Sequence, residues 1–129
     1  MTTDEITLTL PAERDFHRVA HLVLGGLAVR LNLTLENLED LELALDALLE
    51  RAKRDQDIVL RVQVLDGELH TIVGPFASVR GELEQGGDGA LNLSRILGAV
   101  CDSVEISDRD GSEWVELTKR VEKMEGAVG

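Results

Sequence analysis

The chain has 129 residues, 43% of them hydrophobic, and its 25 acidic side chains outnumber 13 basic ones for a formal charge of -12. A single domain of that length buries a core without staples or metal, and one cysteine, Cys101, excludes an intramolecular disulfide framework. The acidic field repels phosphate backbones and favours basic partner surfaces, and with aromatics at 2% no stacking platform for bases can be assembled, so direct nucleic-acid binding is not expected. Without a signal-peptide pattern or a long apolar span, a cytoplasmic protein with no membrane segment is the expectation.

In chain order, Glu5 to Leu10 alternates with Ile6, Leu8 and Leu10 on one side, which predicts a half-buried strand ended by Pro11. Ala12 to Leu31 carries Phe16, Val19, Ala20, Val23, Leu24, Leu27 and Leu31 at helical spacing. Gly25 and Gly26 inside that pattern each cost roughly 1 kcal/mol relative to alanine and suggest close helix packing or a kink. A second helix is predicted from Leu35 to Lys53, with Leu38, Leu41, Leu45, Leu48, Leu49 and Ala52 on one face and Thr34 as its N-cap.

Ile58 to Leu65 and Leu69 to Val73 read as a hairpin about Asp66-Gly67, with Gly74-Pro75 ending the pairing. Ser78 to Gly89 turns to Gly, Glu, Gln and Asp and reads as a mobile loop. A short helix over Leu91 to Val100 follows, then strands at Val104 to Ser107 and Trp114 to Thr118 about Asp110-Gly111, and a frayed or weakly helical tail from Lys119. The order predicts an α/β two-layer sandwich, a mixed and mostly antiparallel sheet covered on one face by helices.

Leu10-Pro11-Ala12, the run from Asp40 to Asp46, Leu91-Asn92-Leu93, the run from Cys101 to Ile106, Asp110-Gly111 and the run from Val115 to Lys119 together resemble the GHKL, or Bergerat-fold, ATPase domain of bacterial anti-sigma-factor serine kinases. The resemblance spans nearly the whole chain, as one domain from 1 to 129, and implies three chemical elements. A glutamate and an asparagine four residues apart would polarise the attacking group and bind magnesium; Ala47 and Arg51 stand there, and neither a methyl nor a guanidinium has a lone pair to offer. Sliding the match by one offers Asp46 and Glu50 but turns the helix by about 100° and points its leucines out of the core. An adenine-reading carboxylate would follow the hairpin, where the chain reads Ile72-Val73-Gly74-Pro75-Phe76. A glycine turn would cradle phosphates at a helix N-terminus, where Gly87, Gly89 and Leu91 lie around Asp88, whose charge repels a phosphate.

With all three elements degraded, the pocket of Gly74, Gly87, Gly89 and Leu91 reads as vestigial, no catalytic residue is expected, and neither a nucleotide nor a metal is expected. Arg51 either fills the former pocket and pairs with an acid such as Glu50 or Asp46, or is an exposed arginine at a helix C-terminus, the commoner case. His17 and His21 have metal-ligand spacing without a third ligand, so two surface histidines are the commoner explanation. Their helix, through Arg14, His17, Arg18 and His21, is the expected partner surface, because the resembled family uses this region for dimerisation and for gripping a sigma factor. Cys101 reads as a small hydrophobe and Asp102 as a helix-end or strand-start residue.

The leading expectation is a non-catalytic anti-sigma-factor-like regulator acting by protein association, with a sigma factor, a STAS-type anti-anti-sigma protein or a second copy as partner. The alternatives are an active ATP- and magnesium-dependent serine kinase using Asp46 or Glu50, and a dimerisation or scaffold domain without a sigma partner.

Overall fold

The alternation of Ile6, Leu8 and Leu10 against the threonines between them needs one dry face and one wet face, and the chain supplies both. The computed structural model describes residues 5–31, 33–53, 55–85 and 93–121. Strand β1 (Glu5–Pro11) is followed by a 3-10 turn (Arg14–Phe16), helices α1 (His17–Leu31) and α2 (Leu35–Leu49), and the hairpin β2 (Asp57–Leu65) and β3 (Glu68–Phe76). Helices α3 (Arg80–Gln85) and α4 (Leu93–Val100) precede a second hairpin, β4 (Ser103–Arg109) and β5 (Ser112–Arg120). The five strands form one sheet in the order β1-β2-β3-β5-β4, and each pairing is antiparallel, so the sheet is uniform rather than mixed.

Both hairpins turn on Asp-Gly pairs in the left-handed region, Asp66 and Gly67 at φ 53° and 77°, Asp110 and Gly111 at 52° and 79°. Two successive residues of that sign match the strand twist, and aspartate and glycine tolerate them best. Leu60, Val62, Leu69, Val73, Val115 and Leu117 point from the sheet to the helices and meet Leu24, Leu27, Leu41, Leu45, Leu48 and Leu97 in one core. Helix α2 lies between α1 and α4. It begins as expected, since the Thr34 hydroxyl accepts from the Asn37 amide at 3.0 Å. It ends at Leu49, four residues before the expected Lys53.

Several expectations are corrected. Gly74-Pro75 does not stop β3: a register shift between Val73 and Phe76 absorbs the proline and pairing resumes at Phe76 with Glu113. The segment after it is not a featureless loop, because residues 80–85 form α3. Helix α1 runs unbroken through Gly25 and Gly26, and a methyl at either would meet nothing within 4 Å, so no close packing within the chain requires them. Lys119 and Arg120 belong to β5, and buried Val121 donates its amide to the Gly67 carbonyl at 3.1 Å, so the chain is tied down to that point.

Candidate functional site

The flank of α2 that faces α3 carries Ala47 and Arg51. Ala47 is 4% exposed, its methyl among core residues. Arg51 lies just past the helix end, where carbonyls lack partners, and folds back so that Nη1 donates to the Ala47 carbonyl at 2.9 Å. The rest of the guanidinium grips one carboxylate across the gap: Nη2 donates to Glu82 Oε2 at 2.7 Å and Nε donates to the same oxygen at 3.2 Å. With its side chain 24% exposed, Arg51 is not a free surface arginine. Its acid is Glu82 on α3 rather than Asp46, and Glu50 lies at 3.9 Å.

The Arg51 hydrogen bonds hold the Glu82 carboxyl below the ordinary value of 4.5; partial burial opposes them, and the Arg51 charge and the Leu93 backbone amide at the start of α4 assist. Glu82 thus connects α2, α3 and α4. Helix α3 has a second anchor at its N-terminal end, where Glu113 of β5 accepts from the amides of Val79 at 2.6 Å and Arg80 at 2.9 Å. A carboxylate on two unpaired amides at a helix start satisfies donors that the helix itself cannot.

Gly74 is not brought to this gap. It alternates with inward-facing Val73, and a Cβ built on it would lie 2.5 Å from the Trp114 ring on the sheet's other face. Glycine is required there because the indole, itself covered by the Arg109 guanidinium at 5.6 Å, takes the space of a side chain. Gly87, Gly89 and Leu91 lie outside the described residues.

The opposite flank of α2 faces α1. His21 Nε2 lies 2.7 Å from Asp46 Oδ1, and its Nδ1 lies 3.8 Å from Glu42. The spacing of His17 and His21 therefore serves helix packing through His21, and among the described residues no His, Cys, Asp and Glu cluster could hold a metal. Arg14, His17, Arg18 and His21 do come together, lining a groove of about 350 Å³ with Asp46 and Glu50. The His17 Nε2 is buried without a hydrogen-bond partner among the described residues. Arg14 reaches Glu50 at 3.9 Å with both side chains mostly exposed. Of the acids of the shifted match, Asp46 thus turns toward α1, whereas Glu50 lies between the flanks, 3.9 Å from both Arg14 and Arg51.

Among the described residues this flank offers a methyl, a guanidinium and a carboxylate already engaged by that guanidinium, which provide neither a base nor an open ligand for the magnesium that the resemblance implies. Cys101 is half-buried beside the core, and burial pushes its thiol up to about 11, so it stays protonated at neutral pH. Asp102 starts the last hairpin, its carboxylate accepting from the Arg120 amide at 2.5 Å. No described helix is long and apolar enough to cross a membrane.

No protein-family profile matches the chain, and no curated protein matches it in sequence. Among solved structures it is similar to the RsbU and RsbW domains of Rv1364c from Mycobacterium tuberculosis, with a TM-score of 0.69 and 17% identity. The match covers 92% of this chain and 33% of that one, so the chain spans about a third of the matched length. That likeness shows a shared fold.

Proposed function

We propose that the chain is a non-catalytic, anti-sigma-factor-like regulatory module that works by protein association. The observation that carries this reading is the Arg51 to Glu82 pair: where the resembled domains place a magnesium-binding asparagine, this chain sets a cation and its own carboxylate 2.7 Å apart. The ordered motifs from Leu10 to Lys119 and the fold shared with the RsbU and RsbW structure support a role in sigma-factor regulation.

The partner surface is α1. Leu22, one turn after Arg18, and Val29, toward the C-terminal end, are 76% and 81% exposed on α1, and Arg14 lies in the turn just before it. Between residues 14 and 31 three arginines face one aspartate, so this helix is locally basic on an acidic protein and suits acidic residues on the partner. A sigma factor or a STAS-type protein is the partner class.

The test is incubation with Mg-ATP and a STAS-domain or sigma-factor partner, reading complex formation and phosphate transfer separately. The reading expects a complex with no phosphate transfer, weakened by Arg18→Glu or Leu22→Asp. Phosphate transfer that is lost on Asp46→Ala or Glu50→Ala overturns it in favour of an active kinase.

A further inference from the structure

A surface ion pair usually contributes little, because solvent screens it and two long side chains must be ordered to form it. The pair between Arg51 and Glu82 departs from that case in three ways. The guanidinium is fixed before it meets its partner, since Nη1 is bound to the Ala47 carbonyl at 2.9 Å. It engages the carboxylate through two nitrogens, at 2.7 and 3.2 Å, which sets direction as well as distance. The carboxylate also receives the Leu93 amide, so a single group bridges the end of α2, the middle of α3 and the start of α4.

Helix α3 needs such support. At six residues it is too short to persist in water by itself. Its inward anchors are Val79, 1% exposed just before it, and half-buried Leu83. Glu113 holds its N-terminal end to β5, Arg80 pairs with Asp108 of β4 at 2.8 Å, and Glu82 supplies the ion pair that ties α3 to the end of α2.

We propose that Glu82 is a built-in ligand: with Arg51 as its counter-cation it latches α3 to α2 and α4, holding this segment closed with no small molecule bound. The latch rests on the non-catalytic reading and gives it a physical content. An external phosphate would meet a site whose cation is already neutralised, and entry would require breaking the 2.7 Å contact. Closure of the segment is therefore a fixed property of the fold, in place of a response to a bound ligand.

Amide hydrogen exchange on the whole chain at neutral pH tests this, comparing wild type with Glu82→Gln and Arg51→Met. Both substitutions keep the approximate size of a side chain outside the core. The latch predicts that α3 amides exchange about fivefold faster in each variant, while amides of α2 and of the β2–β3 hairpin keep wild-type protection. Adding Mg-ATP to wild type leaves α3 protection unchanged. Unchanged α3 exchange in both variants, an equal rise across the whole sheet, or an Mg-ATP-dependent gain of α3 protection in wild type each overturns the latch. The two failures are separable: unchanged α3 exchange removes the latch and leaves the non-catalytic reading standing, whereas phosphate transfer to a partner removes the reading itself.

Discussion

The two flanks of α2 each set a nitrogen-bearing side chain 2.7 Å from a carboxylate, and they differ in which residue supplies it. Toward α3 it is Arg51, charged at every physiological pH, bound at 2.7 Å to Glu82 and folded over its own helix end. Toward α1 it is His21, 2.7 Å from Asp46, whose contact is an ion pair only when the ring is protonated. The first flank is bound by a permanent charge. The second borders the groove lined by Arg14, His17 and Arg18. One helix thus separates a flank bound by a fixed charge from an accessible groove, and the residue types on its two sides account for the division.

The largest effect should come from the layer that both flanks share. Leu48 is fully buried near the C-terminal end of α2, and Leu48→Ala is expected to cost about 2–5 kcal/mol, with loss of both flanks together in a single denaturant transition. Arg51→Met acts on one flank only. Because Glu82 is partly exposed, the global cost is at most about 1 kcal/mol, and urea denaturation should show a small shift in midpoint with an unchanged slope. A shift as large as that of Leu48→Ala would mean that the pair supports the whole core. Asp46→Ala should cost about 0.3–0.5 kcal/mol, since His21 and Asp46 are both well exposed, and it should leave α3 exchange untouched. Coupling of Asp46→Ala to α3 would dissolve the distinction between the flanks.

Acid separates the flanks further. The folded-state value of Glu82 is depressed, so its contribution is complete above the ordinary value of 4.5 and is lost as pH falls below it through the lowered folded value. Protection of α3 in wild type should therefore decline on acidification below 4.5, and Glu82→Gln should show no such step. A step of equal size in Glu82→Gln would assign the acid response to other carboxylates.

Local chemistry made much of this legible in the sequence. Asp66-Gly67 and Asp110-Gly111 announce their hairpins because left-handed turns favour those residues, and Thr34 announces the start of α2 because its hydroxyl reaches an amide three residues on. What escaped depends on distant partners. Helix α3 reads as loop because its anchors, Glu113 and Arg51, lie more than thirty residues from the groups they hold, and no window along the chain contains both. Gly74-Pro75 reads as a strand end, yet a bulge lets β3 continue and Trp114 explains the glycine. Ala47 and Arg51 were visible as residues that cannot serve a metal. Glu82 as the acid on Arg51 was not, since it stands in a segment whose Gly, Glu, Gln and Asp composition reads as a loop. The pairing of β3 with β5 across the intervening helices likewise carries no local signal.

Calorimetric titration of the purified chain with Mg-ATP and Mg-ADP, followed in parallel by Trp114 fluorescence, tests the closed flank most directly. The account predicts no binding at millimolar nucleotide, because Glu82 already occupies the Arg51 cation. Micromolar, magnesium-dependent binding would contradict it and identify the gap between α2 and α3 as a working nucleotide site.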